Sequence, residues 1–521
     1  MAGDSATADE PVHIASAVEI VREGTGRWNV EHPPLAKALA GLALAGVPLD
    51  PAPNPFSTPN HAPLLLRFLF ENRSPGETIL FRARLPFVLL FALLLVALRR
   101  EAHARFASET AGLFALAFAA LDPNLLAHAG VVHTDLAVTL FIVLSLRPLA
   151  SLPNAGERRA AILLGLFWGL AFLSKYSAPL IVAATLPLLF LEEIPRERRS
   201  LVAKRLATAA GIALLVTLAG FALAYRNQTR ADFEAVANDR LVVRGGSPAS
   251  FDAALAIGRV FRPAGDLAVG TLSIALQSRS GANVNYFMGK VSREGSPLYF
   301  PVALATKVSL GLLFAALLGA VSYRGRRFAL AAGAGVVLFL LASLRTTYNI
   351  GVRHLLFVVP LAALVAAAAA ASGEGGPRRA RTALLTALLA LEAIETITIH
   401  PHELSFFNVL AGGLDRGRRF FVDSNLDWGQ DLARLAREAP RFSAAPIPAV
   451  VFGGDLPRRY PTLRPVAPGD EDRPGQIIGI GEAPFALGAE LLARKGAAAD
   501  AARLARLVEA VKTHGRRVGE I

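Results

Sequence analysis

The most regular feature of the sequence is the alternation of long apolar runs with short basic stretches. A helix needs about 20 largely apolar residues to cross the hydrocarbon core of a bilayer, and somewhat fewer when long polar side chains at its ends reach the interface. Ten runs approach this length, and they predict an all-α polytopic membrane protein with about ten helices. The predicted spans cover residues 84–99, 110–127, 134–150, 160–174, 177–192, 206–225, 298–322, 327–345, 354–372 and 382–399.

The region 160–192 contains two of these spans with only two residues between them. A single helix of this length would reach about 50 Å, at about 1.5 Å per residue, and would exceed a hydrocarbon core of about 30 Å. The polar sequence Ser174-Lys175-Tyr176-Ser177 offers a place for a turn. We therefore predict a helical hairpin that turns at these four residues.

The basic residues fall mainly in every second connection between the spans. One set of connections carries seventeen Lys and Arg residues: Arg99, Arg100, Arg105, Arg147, Arg158, Arg159, Arg196, Arg198, Arg199, Lys204, Arg205, Arg324, Arg326, Arg327, Arg378, Arg379 and Arg381. The other set of short connections carries three: Lys175, Arg345 and Arg353. Because basic loops stay on the cytoplasmic side, the first set is predicted to be cytoplasmic.

Composition excludes several classes of protein and of site. Hydrophobic residues make up 53% of the chain and charged residues 18%, whereas about a quarter of an average soluble domain is charged. The chain has no cysteine, so it has neither disulfides nor cysteine-based zinc sites. The net charge of +13 lies in the short turns and not along one face, so it does not indicate nucleic-acid binding.

The orientation divides the chain into three parts. Residues 1–83 form a first extracytoplasmic loop with interfacial helices, residues 84–399 form the transmembrane bundle with the extracytoplasmic loop 226–297, and residues 400–521 form an extracytoplasmic C-terminal α/β domain. Within that domain, a strand is predicted near 447–453 and a helix around 498–512. Because no apolar span precedes the first loop, the chain as given is expected to lack a first helix.

Two neighbouring carboxylates, Asp9 and Glu10, open the first loop. One ionised carboxylate raises the pKa of its neighbour, so the pair is a candidate general base. The alternative is that both are solvated charges at the start of a helix that has Pro11 at its first turn. The same loop continues with Glu31-His32-Pro33-Pro34, ahead of a helix predicted over 35–47 at the membrane interface.

Further acidic residues lie at the outer ends of the spans. Asp122 and Asp135 have no Lys or Arg nearby in sequence, and ionisable groups at such depths usually face a water-filled cavity. Helix capping by Asp135 or its neighbour Thr134 is the alternative. Near the C-terminal domain, the spacing from Asp423 to Asp431 would suit a hard cation, but capping of a helix by Asp423 or Ser424 is the preferred interpretation there.

Lys175, Lys307, Arg353 and His354 are cationic or can become so, and all lie near the outer ends of spans. A long side chain that extends from the end of a span to the membrane interface would explain the position of any one of these residues. Four such groups on a side poor in Lys and Arg indicate an anionic ligand, for which a lipid phosphate is the natural candidate. Arg353 offers such a phosphate a planar fork of donors.

Taken together, these segments resemble the phospholipid-carrier-dependent glycosyltransferases of the GT-C superfamily. The likeness is strongest to the bacterial branch of the protein O-mannosyltransferase (dolichyl-phosphate-mannose-protein mannosyltransferase) family, with the lipid A aminoarabinose transferases more distant. The matching stretches run in order along the chain: Asp9-Glu10-Pro11 with His13, residues 31–35, Asn124 to Asp135, residues 173–177, Tyr299-Phe300-Pro301 with Lys307, residues 349–354, residues 400–408 and residues 423–431.

The resemblance implies an enzyme that transfers a sugar from a polyprenyl-phosphate-linked donor, with inversion, to a protein, lipid or glycan acceptor. It makes Asp9 the leading candidate for the catalytic base and Glu10 the second. Cations near the phosphate would stabilise the leaving group, which departs as an anion. The residues assigned to the donor phosphate are Lys175, Arg353, His354 and Lys307, and those assigned to the cavity wall are His32 and Asp135.

No cofactor is required under this hypothesis and no metal site is assigned, although a divalent cation is left open. The expected partners are the lipid-linked sugar, membrane lipid and an unidentified acceptor, without nucleic acid. The resemblance implies a bacterial inner (plasma) membrane protein whose active site faces the periplasm or exterior. A transporter and a non-catalytic cell-envelope scaffold are the alternatives. Transporters usually have paired halves with broken helices at matching positions, and the sequence shows no such repeat.

Overall fold

The structure is a computed structural model that describes residues 3–519. Not described within that range are residues 59–60, 155, 157–158, 192–193, 244–246, 280–282, 323–324, 372–375, 471–475 and 495–496. Arg158 and Arg324, which contributed to the predicted cytoplasmic charge, lie outside the described residues, as do parts of the loop 226–297 and of the C-terminal domain.

A bundle of apolar helices makes up the centre of the protein. Its first half comprises α4 (Gly76–Phe106), α5 (Glu109–Leu121), α6 (Pro123–Ala129), α7 (Asp135–Ser151), α8 (Arg159–Ser174), α9 (Ala178–Thr185) and α10 (Arg199–Ala224). Its second half comprises α14 (Tyr299–Lys307), α15 (Leu310–Val321), α16 (Gly325–Ser343), α17 (Val358–Ala368) and α18 (Gly376–Ile399).

Each of the ten predicted spans coincides with one or two of these helices. Among the described residues, four helices are long and apolar enough to cross a membrane, and up to six if each bent pair counts as one span. Shorter apolar helices, α8, α9 and α17 among them, complete the bundle. The predicted fold class, an all-α polytopic membrane protein with a small α/β part, is confirmed. The predicted hairpin is also present, since α8 ends at Ser174 and α9 begins at Ala178.

Two of the predicted spans are each made of two helices with a bend between them. Between α5 and α6 the chain bends by 65°, because Pro123 cannot continue the helix and the Asp122 carboxylate accepts from Leu125 N and starts a new one. Between α14 and α15 it bends by 101° at Val308 and Ser309, where Ser309 caps α15. Neither residue at this second break is Pro or Gly, so the local sequence does not indicate it.

Each long helix of the bundle has apolar side chains on two faces: one face packs against the neighbouring helices, and the other is exposed on the surface of the protein. On α4, Phe87 and Leu94 are buried, whereas Leu89 on the opposite side is 62% exposed. On α10 and α18, Leu215 and Ile397 are 68% and 70% exposed. Such exposure would be unfavourable in water and is favourable against acyl chains, so these surfaces are the lipid-facing ones.

The N-terminal segment packs against one end of the bundle. It contains α1 (Glu10–Val18), which a π-helical turn extends to Glu23, together with α2 (Pro34–Ala43) and α3 (His61–Phe70). Almost every residue of α1 is buried within the protein. The loop 226–297 adds α11 (Arg230–Asn238), α12 (Pro248–Val260), α13 (Arg262–Arg279) and a hairpin of β1 (Asn285–Phe287) and β2 (Lys290–Ser292).

The C-terminal part is a small α/β unit at the same end of the bundle. Its three strands, β3 (Ile447–Val450), β4 (Leu463–Pro465) and β5 (Gly479–Ile480), form a parallel sheet in the order β4-β3-β5. Its helices are α19 (Gly413–Gly417), α20 (Leu432–Glu438), α21 (Glu482–Arg494) and α22 (Ala498–His514). The strand predicted near 447–453 and the helix predicted around 498–512 are both present.

Candidate active site

Five polar side chains from four separate segments meet at the end of the bundle that the N-terminal segment covers. They are Asp9, His133, Asp135, Lys175 and Arg353. Each follows or precedes a helix end: Asp9 precedes α1, His133 and Asp135 lie at the start of α7, Lys175 lies between α8 and α9, and Arg353 precedes α17. The alternation of spans predicted from the basic turns therefore brings these ends together.

Asp9 is the acidic group of this cluster that stays accessible. Its Oδ2 lies 3.4 Å from Arg353 Nη1 and 3.6 Å from His133 Nε2, and its side chain is 35% exposed. Desolvation alone would raise the pKa of the Asp9 carboxyl, but the contact with His133 and the Arg353 charge outweigh it and hold that pKa well below its usual range. Asp9 is therefore ionised at neutral pH.

Asp135 links the cationic groups to one another. Its side chain is 1% exposed, one of its carboxylate oxygens contacts Lys175 Nζ, and the other contacts His133 Nδ1. The second oxygen also lies 4.0 Å from Arg353 Nη1. The neighbouring Thr134 makes no side-chain capping bond to α7. Asp135 thus serves as the buried counter-ion of the cluster, in place of the capping role that was the alternative.

Arg353 is held in place by the segment that leads into the C-terminal domain. Its guanidinium lies 4.4 Å from the ring of Trp428, which is 1% exposed. Asn425 Oδ1 accepts from Val352 N at 2.8 Å and so fixes the turn that carries Arg353. The next residue, His354, has its Nδ1 3.4 Å from Lys175 Nζ. Three of the four predicted phosphate-binding residues are thus neighbours.

Glu10 is close to Asp9 in sequence but is placed quite differently. It is fully buried, and its two oxygens accept from Arg84 Nε at 2.7 Å and Arg84 Nη2 at 2.6 Å. Thr7 N and Val132 N also donate to it, at 2.9 and 3.1 Å. With both oxygens engaged by these donors, Glu10 ties the start of α1 to α4. The predicted carboxylate pair does not converge on one cavity.

Lys307 also lies apart from the cluster. Its Nζ donates to the carbonyl oxygens of Leu404 and Asn425 at 2.9 and 2.6 Å and lies 4.5 Å from the Phe407 ring. The side chain is 1% exposed. In this position Lys307 joins the broken span α14–α15 to the segment that follows α18, and its ammonium group faces protein carbonyls.

His32 lines the site beside two other histidines. Its ring centroid lies 4.9 Å from that of His13 and 5.4 Å from that of His133. Desolvation lowers the pKa of His13 and His32 well below the ordinary value, and nearby positive groups add to this effect, so both are neutral at pH 7. The backbone of His32 is fixed by the buried Lys37, whose Nζ donates to its carbonyl oxygen at 2.7 Å.

Neither Asp423 nor Ser424 caps a helix, so the capping prediction for these two residues was wrong. Asp423 has a positive φ of 57° and begins a short 3-10 turn, while α20 begins only at Leu432. The Asp427 carboxylate accepts from Gly429 N at 3.0 Å and from Ala483 N at 3.1 Å, so it ties this run to the start of α21. These contacts hold Trp428 beneath Arg353.

Sequence reasoning did not assign a role to several residues of the site. His133 and Trp428 lie inside motifs that were recognised, each within a few residues of an assigned aspartate. Arg84 and Lys37 lie in apolar runs and were overlooked. A charged residue inside an apolar run is rare enough to be a signal by itself, and here it marks the partners of Glu10 and of the His32 loop.

Part of the chain matches a known family. Residues 75–223 match the sequence model of the family described as dolichyl-phosphate-mannose-protein mannosyltransferase, which confirms the resemblance over this segment. None of the curated proteins matches the sequence significantly.

Two solved structures are similar to this chain. Both are ArnT from Cupriavidus metallidurans, one bound to undecaprenyl phosphate (14% identity, TM-score 0.32) and one in the apo state (13% identity, TM-score 0.33). Each alignment covers 93% of this chain and 87% of that chain.

Proposed function

We propose that the protein is a membrane glycosyltransferase that transfers a sugar from a polyprenyl-phosphate-linked donor to an acceptor, with inversion at the anomeric carbon. The observation that carries the proposal is the contact of an accessible carboxylate, Asp9, with the buried cation Arg353, beside Lys175 and His354. A base next to a phosphate-binding site is what such a transfer needs. The match of residues 75–223 to a mannosyltransferase family supports the same reaction class.

Asp9 acts as the general base. It accepts the proton of an acceptor hydroxyl or amine, whose oxygen or nitrogen then forms a bond to the anomeric carbon. The bond between that carbon and the phosphate oxygen breaks, and polyprenyl phosphate leaves with the electron pair. Attack opposite the leaving group inverts the anomeric centre. Glu10 takes no part in this step, because its oxygens are engaged by Arg84 and two backbone amides.

The cations stabilise the leaving phosphate. Arg353 offers a planar set of donors, and Lys175 lies beside it, with its Nζ 3.4 Å from Nδ1 of the neighbouring His354. Asp135 keeps Lys175 and Arg353 together when no anion is bound. Lys307 positions the surrounding backbone and does not contact the phosphate. His32 and Asp135 form the wall of the cavity.

The donor and the location follow from the same reasoning. The family description names a dolichyl-phosphate-mannose donor, so a polyprenyl-phosphate mannose is the first donor to test, and a protein is the first acceptor. The distribution of basic turns supports a multi-pass protein of the bacterial plasma membrane whose site faces the periplasm or exterior. A lipid or glycan acceptor is consistent with the same chemistry.

The test is an assay of the full-length protein in lipid nanodiscs. Labelled polyprenyl-phosphate mannose and envelope proteins are supplied, and both labelled product and released polyprenyl phosphate are measured. We expect release of polyprenyl phosphate only when acceptor is present. Binding of the donor with no release for any sugar tried would contradict the enzyme and favour the non-catalytic scaffold.

The rate of transfer is expected to stay constant as the pH falls from about 8 to about 5. The reason is that the pKa of Asp9 is held below its usual value of about 4, so the base stays ionised over this range. A pH profile of kcat/KM for the donor measures this. An acid limb centred near pH 6.5 in protein treated with a chelator would instead indicate a histidine as the base and would contradict Asp9 in that role.

Replacement of Arg353 by lysine is expected to raise KM for the donor and to lower kcat by about ten- to a hundredfold. Lysine keeps the charge but lacks the planar fork, and it cannot stack on Trp428 in the same way. Arg345→Lys is the matched control, because Arg345 is exposed near the same helix ends. If R353K and R345K had equal KM and kcat, Arg353 would not be part of the phosphate site.

A further inference from the structure

Three histidines from separate segments converge beside Asp9. His13 lies on α1, His32 lies just before α2 and His133 lies just before α7. One ring nitrogen of each lies within 4.8 Å of the corresponding nitrogens of the other two. Three imidazoles this close together could serve as ligands of one metal ion, because imidazole nitrogen is a preferred ligand of zinc and similar ions.

His13 has a ring nitrogen that is free to bind a ligand. The side chain is 1% exposed, and its Nε2 makes no hydrogen bond to any described residue. Its Nδ1 lies 3.1 Å from the side-chain amide of Asn29. The Asn29 amide nitrogen faces this Nδ1 in the structure; with the amide flipped, its oxygen would accept from Nδ1–H and leave the lone pair of Nε2 for a ligand. An amide that holds the rear nitrogen of a histidine in this way is the usual support of a metal ligand.

His133 has the same arrangement with a carboxylate in place of the amide. Its Nδ1 contacts Asp135, so the ring can donate there and present Nε2. In the structure, Arg353 Nη1 contacts this Nε2. An ion at His133 would displace that contact and leave the Arg353 guanidinium available to a phosphate.

His32 completes the set from the more exposed side. Its side chain is half-buried, whereas its carbonyl oxygen is fixed by Lys37 Nζ at 2.7 Å. Zn–N bonds of about 2.0–2.1 Å in a tetrahedral site place the ligand nitrogens about 3.4 Å apart. The ligand nitrogens, now up to 4.8 Å apart, would therefore move closer by up to about 1.4 Å on binding an ion.

We propose that His13, His32 and His133 bind one divalent transition-metal ion of the zinc type, with a fourth coordination position left for a ligand that is not a protein side chain. Three protein ligands with one open position are typical of catalytic zinc sites. This open position would take an oxygen of the donor phosphate, a part of the proposal that rests on the proposed function. The two carboxylates Asp9 and Asp135 balance Lys175 and Arg353, so a bound dication gives the site a net positive charge that favours an anionic donor.

The test is metal binding by the full-length protein in nanodiscs, without any sugar donor. After treatment with a chelator, the protein is dialysed against Zn²⁺ or Co²⁺, and the bound metal and the visible spectrum of Co²⁺ are measured. We expect one ion per chain and a tetrahedral Co²⁺ spectrum. His32→Gln and His13→Gln should lower the affinity at least a hundredfold. His103→Gln should leave it unchanged, because His103 is 53% exposed and lies outside the cluster.

Binding of less than one ion by the wild type, or full binding by His32→Gln, would overturn the proposal. Because His13 is buried and its replacement can disturb folding, His32→Gln decides the question if His13→Gln unfolds. The result does not depend on transfer activity, so failure of the metal site and failure of the glycosyltransferase are distinguishable. Unchanged affinity for polyprenyl phosphate after metal removal would overturn the assignment of the open position to the phosphate.

Discussion

Replacement of Asp9 by asparagine should lower the rate of sugar transfer by about a hundred- to ten-thousandfold, the usual contribution of a general base. Asparagine has nearly the same shape and can still meet Arg353 and His133, but it cannot accept a proton. Because the donor phosphate is bound by the cations and not by Asp9, the loss should appear in kcat, with the KM for the donor little changed. Release of polyprenyl phosphate in nanodiscs measures both quantities.

A matched control lies in the same N-terminal segment. Asp50 forms an exposed pair with Arg73, at 2.7 Å, and its side chain is 45% exposed. Asp50→Asn should therefore leave transfer unchanged. If Asp9→Asn retained the wild-type kcat, Asp9 would not be the base. This conclusion would hold whether or not the assigned cations bind the donor phosphate.

The fold could be predicted where it follows from hydrophobicity and charge alone. Spans, their alternation and the hairpin at Ser174 to Ser177 all reflect the cost of placing polar groups in hydrocarbon, which is a local property of the sequence. The break between α14 and α15 is held by a distant segment, because the Asn408 side-chain amide donates to the carbonyl oxygens of Ala305 and Val308 at 2.8 and 2.9 Å. Such tertiary contacts leave no local pattern, so a continuous helix was predicted there.

The sequence could indicate which residues belong to the site but not how their side chains are arranged. Asp9 and Glu10 are adjacent and chemically alike, and nothing in the sequence separates their roles. The structure separates them because residue 10 is the first residue of α1 and faces inward, where Arg84 on α4 lies. Likewise, Lys307 and Lys175 both end apolar helices, but the bend after Lys307 turns its ammonium group towards carbonyl oxygens.

The buried pair of Glu10 and Arg84 leads to the second large expected effect. Both side chains are almost inaccessible, at 0% and 2% exposure, and they are joined by two hydrogen bonds in a parallel arrangement. A carboxylate in this position also accepts two backbone N–H groups, which no neutral acceptor of the same shape can satisfy as well. Removing the negative charge would leave the buried Arg84 guanidinium with the carbonyl oxygens of Asp4 and Ser5 but without the Glu10 carboxylate, and such a change is strongly unfavourable.

Glu10→Gln should therefore destabilise the protein by about 3–5 kcal/mol, the range for breaking a buried pair. A thermal-unfolding scan in detergent should show a clearly lower Tm. Glu71→Gln is the control, because its pair with Arg67 is exposed and is worth about 1 kcal/mol or less. The double variant Glu10→Gln with Arg84→Met should recover part of the loss, since it removes the unpaired charge. An unchanged Tm for E10Q, combined with loss of transfer, would reverse the assignment and make Glu10 the base.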